Sequence, residues 1–324
     1  MPEWLVEHGI GEARAILVDN GEVIAARLDR PGRLRAGLIA DAKLIARASR
    51  SRRGTLLFDC GEEALADGLP SEASEGSTLR VQVTRAALAE KGRYKRAQAR
   101  PTNAQSRPAP TLQETLAASE LPVRVVRRFR EDPWPELISD AMEGDLTFTG
   151  GALQISPTPA MTLIDVDGIL PAPQLARAAV PVIASAILRF DLAGSIGIDF
   201  PSLESKSDRR SVDEALAEAL RDWPHQRTAI NGFGFVHIVA KLERPSILSM
   251  VQQEPARTGA LLLLRRAEDV REAGPIVLRA HPRVMSALSP DLRAELTNRT
   301  GRSISYETDP ALALLGGFAQ ATSL

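Results

Sequence analysis

The hydrophobic and polar positions of this chain follow one pattern in its first hundred residues and another afterwards. Early on, short runs alternate with a period of two, as in residues 78–84 (TLRVQVT), and such runs predict half-buried strands. Asn20-Gly21 lies between two of these runs and predicts a type I′ hairpin. Several short arginine-bearing strands within residues 37–84 predict a small β-barrel, such as an OB fold.

From residue 111 onward helical patterns join the strands. Residues 112–118 and 134–141 read as helices, and a second hairpin is predicted around Gly150-Gly151. Residues 211–220 predict a helix that opens with a capping box, in which Ser211 is followed by Glu214. The tail predicts an αβαβ order, with helix 260–273, strand 276–280, helix 282–298 and strand 303–306.

The centre of the chain, residues 161–200, has the pattern of a βαβ unit. Two short apolar runs end in Asp165 and Asp199, and an alanine-rich segment of the length of one crossover helix lies between them. Parallel strands joined in this way bring their carboxyl ends to one edge of a sheet. We therefore expect Asp165 and Asp199 to lie side by side, with Asp167 just beyond.

A carboxylate at the end of a buried strand is costly unless it is capped, paired or bound to a cation. Two interpretations are open at this point. Both aspartates can be caps at the entry to loops, which is the simpler reading. Two such strand ends in one crossover, one of them carrying Asp165-Val166-Asp167, favour instead a site for a hard metal ion.

Composition narrows the class of protein. The chain has 324 residues, 44% of them hydrophobic, and no apolar run approaches the roughly 20 residues that span a bilayer. Its start lacks the features of a secretory signal, so we expect a cytoplasmic protein without a membrane partner. Cys60 is the only cysteine and the four histidines are scattered, so no zinc is expected.

Charge is distributed unevenly, although the net charge is only −1. Residues 27–53 hold nine basic and two acidic side chains, and residues 91–107 hold six basic and no acidic ones. Such clusters are typical of a phosphate-binding face, but they are equally consistent with solvated surface arginines. Residues 97–110 lack apolar periodicity and read as a basic linker.

Three segments together resemble the bacterial ribonuclease E/G family. GGALQISPTPAMTLIDVDG is similar to the glycine-rich hairpin and strand that carry the first catalytic aspartate of that family. AGSIGIDF is similar to the strand of the second catalytic aspartate, and NGFGFVHIVAKLERPSI resembles the family's third motif. The resemblance covers most of the chain, and the two aspartate motifs are its most specific portion.

The resemblance implies an α/β multidomain fold. An RNase H-like fold interrupted by a small OB-type β-barrel would precede a DNase I-like α/β catalytic layer and a small αβαβ C-terminal domain. The implied divisions are the first RNase H-like segment (1–35), barrel (36–96), linker (97–110), second RNase H-like segment (111–158), catalytic subdomain (159–250) and C-terminal domain (258–324).

By the same resemblance, Asp165 and Asp199 would be catalytic and would hold Mg²⁺, or Mn²⁺, together with Asp167. The implied activity is endonucleolytic cleavage of single-stranded RNA. Lys206, Arg209 and Arg210 could reach the scissile phosphate or could form a solvated loop. The expected RNA-binding residues are Arg47, Arg52, Arg53, Lys91, Arg93, Lys95, Arg96, Arg209, Arg210 and Lys241.

Departures from the family pattern modify these expectations. Too few residues follow the barrel for the family's sensor of the RNA 5′ end, so cleavage should not depend on that end. The cysteine pair that links subunits through zinc is absent, so a homodimer, if formed, would lack this link. Gly232 replaces an arginine of the third motif, and the barrel lacks the expected stacking aromatics. A catalytically weak or inactive RNA-binding relative is therefore the alternative, and a non-RNA protein on the same scaffold is a third hypothesis.

Overall fold

The structure is a computed structural model and describes residues 1–30, 32, 34–49, 51–90 and 93–322. In chain order the strands are β1 (Glu3–Gly9), β2 (Glu12–Asp19), β3 (Glu22–Asp29), β4 (Ile39–Arg47), β5 (Gly54–Phe58), β6 (Glu63–Ala66), β7 (Thr78–Arg85), β8 (Leu88–Glu90), β9 (Arg93–Lys95), β10 (Ala97–Pro101), β11 (Val123–Val126), β12 (Asp145–Phe148), β13 (Gly151–Pro157), β14 (Thr162–Gly168), β15 (Gly194–Asp199), β16 (Gln226–Arg227), β17 (Phe235–Ala240), β18 (Ile276–Ala280), β19 (Ile304–Thr308) and β20 (Phe318–Ala321). The helices are α1 (Leu112–Ala117), α2 (Trp134–Glu143), α3 (Ala172–Arg189), α4 (Lys206–Ala219), α5 (Ile247–Gln253), α6 (Pro255–Glu268), α7 (Pro282–Ser286) and α8 (Pro290–Thr300). Together they make a mixed α/β fold with several sheets and a small closed barrel.

The first sheet has the strand order β11-β1-β2-β3. Its β2–β3 hairpin turns at Asn20 (φ 50°) and Gly21 (φ 87°), and positive φ at both positions is what a type I′ turn requires. This confirms the first predicted hairpin. Strand β11 follows the barrel in sequence but pairs in parallel with β1, so the barrel is an insertion between two segments of one sheet.

The barrel closes in the order β10-β6-β5-β4-β7, with β10 also paired to β7. Closure by β10 corrects the interpretation of residues 97–110 as a linker, because their first five residues form this strand. Ala97 and Ala99 point into the barrel core and alternate with Gln98 and Arg100. Alanine gives only a weak hydrophobic signal, so the alternation is inconspicuous in the sequence.

A six-stranded sheet, ordered β12-β13-β14-β15-β17-β16, forms the centre of the molecule. Helix α3 crosses from β14 to the parallel strand β15, which confirms the predicted βαβ unit. Its residues Leu175, Ala179, Ile183 and Ile187 repeat at i+4 and are buried against the sheet. Helices α3 and α4 pack together, and α3 contacts β13 and β14, so the helices cover one face of the sheet.

Helix α4 begins five residues earlier than the sequence pattern predicts. Its N-cap is Ser205, whose hydroxyl accepts hydrogen bonds from the backbone N–H groups of Ser207 and Asp208. Ser211 lies inside the helix, so the predicted capping box at Ser211 and Glu214 is wrong. Val212 and Leu216, one turn apart on α4, are buried.

This correction predicts that Ser205→Ala lowers the free energy of unfolding by about 1 kcal/mol, because two amide groups of the first turn lose their acceptor. Ser211→Ala is the matched control. It leaves the helix N-terminus intact and should change the free energy of unfolding much less. Urea unfolding followed by circular dichroism measures both variants. Equal losses in the two would contradict the assignment of Ser205 as the cap.

The C-terminal region packs α6, α7 and α8 on a three-stranded sheet ordered β19-β18-β20. The single helix predicted for residues 282–298 is divided, because Ser289 caps a new helix whose first residue is Pro290. The first helix of the tail begins at Pro255 and ends at Glu268, earlier than predicted. Strand β20 is an additional element without a counterpart in the predicted αβαβ order.

Across the residues that the structure describes, none of the helices combines the length and apolar character needed to cross a bilayer.

Candidate active site on the open face of the six-stranded sheet

The six-stranded sheet is covered by helices on one face and open on the other. In β14, Ile164 and Val166 are buried on the helix side, and Asp165 and Asp167 alternate with them on the open side. In β15, Ile196 and Ile198 are buried on the helix side in the same way. The aspartates therefore lie on a solvent-facing surface rather than in the core.

The backbone register brings the two aspartates together, but Asp165 lies inside β14 and not at its end as predicted, because β14 continues to Gly168. Asp165 and Asp199 are Cα partners in the parallel β14–β15 ladder. Partners in register point to the same face, and neighbouring strands are about 4.8 Å apart. Asp167 lies two residues further along β14, on the same face. The proximity expected from the βαβ pattern is thus present in the structure.

The electrostatics of the three carboxylates reflects this proximity. The pKa of Asp165 is raised above its ordinary value, first by partial burial and then by the negative charges of Asp167 and Asp199. Among the described residues, no lysine, arginine or histidine forms an ion pair with any of the three. The surface therefore carries concentrated negative charge without a protein counter-ion.

The raised pKa gives a direct prediction. The carboxyl carbon of Asp165 should titrate above the ordinary aspartate value of about 3.9 in an NMR titration. Asp167→Asn and Asp199→Asn should each lower this pKa, because each removes one neighbouring charge. A pKa of Asp165 unaffected by both substitutions would show that the carboxylates do not interact.

The same shift has a consequence for stability. Because folding raises the pKa of Asp165, the folded chain binds more protons than the unfolded one between the two pKa values. The contribution of Asp165 to the free energy of unfolding is therefore fully present below its pKa in the unfolded chain. It is lost as the pH rises through its pKa in the folded chain. Asp165→Asn should remove that component of the pH dependence of unfolding.

The donor set fits a two-carboxylate magnesium site. Among the described residues, no three His, Cys, Asp or Glu side chains form a group that could hold a metal ion alone. Mg²⁺ does not need such a group, since one or two carboxylates suffice when water and substrate phosphate complete its octahedron. Asp165 and Asp199 supply the two carboxylates. Asp167, expected as a third ligand, lies more exposed at the end of β14.

A neutral donor that the sequence reasoning missed stands beside Asp165. Gln154 of β13 is its antiparallel Cα partner and points to the same open face. The alternation of buried Leu153 and Ile155 with exposed Gln154 was visible in the hairpin and could have indicated this position. Its amide oxygen can serve as a ligand or as a hydrogen-bond acceptor for a bound water.

Gly197 shapes the floor of this face. A Cβ at Gly197 would lie 2.7 Å from the ring of Phe235 and 2.9 Å from the sulfur of Met161. Glycine therefore lets these two side chains close over the strand between Ser195 and Asp199. The second glycine of the AGSIGIDF segment is therefore explained by the close approach of these two side chains and not by a turn.

His237 lies on the same face but is engaged in the scaffold. Its Nε2 is 2.7 Å from the hydroxyl oxygen of Ser195 in the adjacent strand. Its backbone N–H donates to the hydroxyl of Thr228 at 3.1 Å. These bonds give His237 the role of a structural histidine that is satisfied by hydrogen bonds.

Three arginines expected to bind RNA lie together at one end of the barrel. Arg47 donates to the carbonyls of Ser71 and Ala73, and Arg52 donates to the carbonyl of Leu69 at 3.0 Å. Carbonyl partners do not neutralise the positive charge of Arg47 and Arg52. Arg53 instead pairs with Asp67 at 2.7 Å. Asp67, Glu72 and Glu75 lie among these arginines, so the barrel end has mixed charge and its guanidinium groups hold its loops.

A second basic group lies on the β8–β9 hairpin and just after it. Arg93 is the first residue of β9, Lys95 is the last and is exposed, and Arg96 pairs with Glu63 at 3.1 Å. Lys91 lies outside the described residues. The hairpin packs against α5 and so connects the barrel with the six-stranded sheet.

Three further residues that were expected to bind RNA, Arg209, Arg210 and Lys241, do not direct their charged groups toward the aspartates. Arg209 donates to the carbonyls of Leu203 and Glu204, and Arg210 pairs with Glu214 along the exposed side of α4. Both belong to a helix, which replaces the alternative of a solvated loop. Lys241 follows Ala240, the partner of Gly194, and therefore lies at the sheet edge opposite to Asp199.

A cavity of about 840 Å³ lies between the barrel, the first sheet and α5, away from the aspartates. Its lining includes Arg35, Arg100 and Tyr94. A smaller cavity shares Ser249 with it and is lined by Met161, Ser195 and Lys95. Met161 and Ser195 lie at the amino-terminal ends of β14 and β15, and the lining of neither cavity includes Asp165, Asp167 or Asp199.

Comparison with known proteins supplies no further assignment. A scan against models of protein families found no match, and a search of curated proteins found none either. The functional interpretation therefore depends on the residues and geometry described above.

Proposed function

We propose that the chain is a metal-dependent endoribonuclease that cleaves single-stranded RNA. The observation that carries the proposal is the pair of carboxylates, Asp165 and Asp199, in register on the open face of the six-stranded sheet and without a basic partner among the described residues. Such a pair is stabilised by a divalent cation and repels a phosphate without one. The residues thus suit a site at which Mg²⁺, or Mn²⁺, and RNA bind together.

Each residue then has a defined task. Asp165 and Asp199 hold the ion, and Gln154 and Asp167 orient water or substrate around it. When bound, the ion supplies Lewis-acid polarisation of a phosphoryl oxygen and activation of water. The side chains of Phe235 and Met161 pack over Gly197 and form an apolar floor. This floor would set how closely the RNA strand approaches β15.

The proposed route for the RNA uses the two cavities. From the barrel-side cavity, with Arg35, Arg100 and Tyr94, the route passes Lys95 and Ser195 and continues along β15 to Asp199. The distance from Ser195 to Asp199 is four residues of strand, about 13 Å. The entrance is lined by basic and acidic side chains in similar numbers, so the phosphate backbone would meet individual basic groups such as Arg100 and Lys95, and the aspartates would come into use where the ion is bound.

The domain interpretation follows the same proposal. The closed five-stranded barrel corresponds to the OB-type RNA-binding unit, and the β11-β1-β2-β3 sheet interrupted by it corresponds to the RNase H-like fold. The six-stranded sheet with α3 and α4 corresponds to the DNase I-like catalytic layer. Ten residues lie between the end of β10 and the start of α1, too few for a separate sensor of the RNA 5′ end.

A second candidate is an RNA-binding relative without activity. It is favoured by the engagement of Arg209 and Arg210 within α4 and by the position of Lys241 at the opposite edge. In this case no basic side chain of the predicted set would stabilise charge on the scissile phosphate. Affinity would then come from the barrel alone.

Cleavage of an internally labelled, unstructured RNA distinguishes the two candidates. The RNA should carry either a 5′-hydroxyl or a 5′-monophosphate, and the reactions should contain Mg²⁺, Mn²⁺ or EDTA. The proposal predicts cleavage with either metal, none with EDTA, and equal rates for the two 5′ ends. Binding at micromolar or tighter affinity without cleavage in any metal would support the second candidate.

A further inference from the structure

Phe233 is an aromatic side chain that the fold leaves in solvent. It is 83% exposed, although a phenylalanine ring is normally buried. It belongs to the loop between β16 and β17, next to the carboxyl edge where the aspartates lie. Nothing in the proposed handling of the metal and phosphate uses it.

The backbone around this ring is held firmly. The side-chain oxygen of Asn231 accepts the N–H groups of Phe233 at 2.9 Å and Phe235 at 3.0 Å. The N–H of Gly234 donates to the carbonyl of Asn231 at 3.1 Å, and Gly234 has φ +91°, a conformation that favours glycine. The loop therefore presents the ring from a fixed turn.

The same turn is joined to the strand that carries Asp199. The carbonyl of Gly234 accepts the N–H of Phe200 at 3.1 Å, and Phe235 is the Cα partner of Asp199. A Cβ at position 234 would lie 2.3 Å from the carbonyl oxygen of Phe200, so the two segments are in close contact. The position of Phe233 is thereby fixed relative to Asp199.

A second exposed apolar side chain lies just beyond the other aspartates. Ile169, which is 92% exposed, follows the end of β14, and its N–H donates to the carbonyl of Gly150 at 3.0 Å. Ile169 and Phe233 thus extend from the carboxyl ends of β14 and from the loop beside β15. Exposed apolar side chains therefore lie beyond Asp167 of β14 and beside Asp199 of β15.

We propose that Phe233 stacks on an unpaired base of the RNA next to the phosphate that lies at Asp165 and Asp199. This inference rests on the proposed function, and it identifies unpaired bases as the feature of the RNA that the site selects. Bases of a single strand expose their π-faces to an aromatic ring, whereas bases inside a duplex are already stacked on each other. Phe233 would therefore select single-stranded over double-stranded RNA.

A fluorescent base tests this directly. Unstructured ten-nucleotide RNAs with 2-aminopurine at one position each are added to the full chain in Ca²⁺, and quenching of the fluorophore reports stacking. We expect quenching at one or two neighbouring positions in the wild type. Phe233→Ala should abolish it and weaken binding by at least about fivefold. Phe233→Trp should restore both, and Phe233→Leu should not restore the quenching.

Phe318→Ala is the matched control, because Phe318 is a partly exposed phenylalanine of β20 in the C-terminal region. It should leave quenching and affinity unchanged. Quenching in Phe233→Ala equal to that of the wild type, or no quenching by the wild type at any position, would overturn the inference. Effects of Phe318→Ala as large as those of Phe233→Ala would also overturn it.

The outcome is separable from that of the proposed cleavage. If wild type and Phe233→Ala cut single-stranded and duplex RNA with the same preference, the stacking inference fails while the nuclease proposal stands. If no RNA is cut but quenching depends on Phe233, the nuclease proposal fails while stacking stands.

Discussion

Asp199→Asn is expected to reduce kcat/KM for cleavage of single-stranded RNA by at least about 100-fold. Loss of an outer partner of a metal ligand already costs about 10–100-fold in many sites, and loss of a ligand itself should cost more. The substitution keeps the size of the side chain but removes one of the two charges that hold the ion. Asp165→Asn should behave in the same way, because Asp165 is its partner in the ladder.

Asp145→Asn is the control for these variants. Asp145 lies on the same open face, on β12, two strands away from β14 and hence about 10 Å from Asp165. It should reduce kcat/KM by less than about threefold. A loss in Asp145→Asn as large as that in Asp199→Asn would mean that overall negative charge, and not the pair, determines activity.

Glu12→Gln is expected to destabilise the fold by about 3–5 kcal/mol. Glu12 is buried, with its side chain 1% exposed, and it pairs with Arg14 at 2.5 Å and Arg30 at 3.2 Å. Burial opposes ionisation of Glu12, but the nearby guanidinium groups of Arg14, Arg30 and Arg265 outweigh it and keep its pKa below the ordinary value. Neutralising Glu12 leaves two buried cations without their counter-ion.

Urea unfolding measures this effect, with tryptophan fluorescence as the signal because Arg14 lies over the ring of Trp134 at 5.1 Å. Glu3→Gln is the control, since its partner Arg124 and Glu3 itself are on the surface, and it should give no measurable change. Because the pKa of Glu12 is depressed on folding, its contribution is present above the unfolded pKa and is lost as the pH falls through the folded pKa. The difference between wild type and Glu12→Gln should therefore shrink in acid.

The sequence predicted the elements of the fold that combine a strong periodic pattern with a specific turn or a specific length. The hairpin at Asn20-Gly21 and the βαβ unit around α3 are both present. In each case local backbone chemistry and burial favour the same structure, so no tertiary information was needed. The crossover made β14 and β15 parallel neighbours, and the structure supplies their register.

Elements that depend on distant partners were missed. Strand β10 closes the barrel only because β6 and β7 are already in place, and its buried side chains are alanines. Strand β1 was not indicated by a periodic pattern, and it is held in place by β2 and by β11 beyond the barrel. Helix α4 starts after Ser205 rather than Ser211, because two serines with suitable followers compete and only packing decides between them.

For the site, the sequence predicted the aspartates but not their surroundings. Asp199 is the last residue of β15, but Asp165 is the fourth of the seven residues of β14, so their proximity depends on the register of the ladder. The orientation of Arg209 and Arg210 depends on where α4 begins, and the position of Lys241 depends on the antiparallel entry of β17, so neither could be read from spacing. The exposure of Phe233 likewise depends on how the loop joins Phe200.

The measurement that most directly tests the central claim is single-turnover cleavage of one 5′-hydroxyl, single-stranded RNA by the wild type as Mg²⁺ is titrated from zero, with Asp199→Asn in parallel. Cutting should rise with Mg²⁺, stop when EDTA is added and be lost in the variant. Intact RNA at every Mg²⁺ concentration with a correctly folded wild type, or equal cutting by Asp199→Asn, would contradict it.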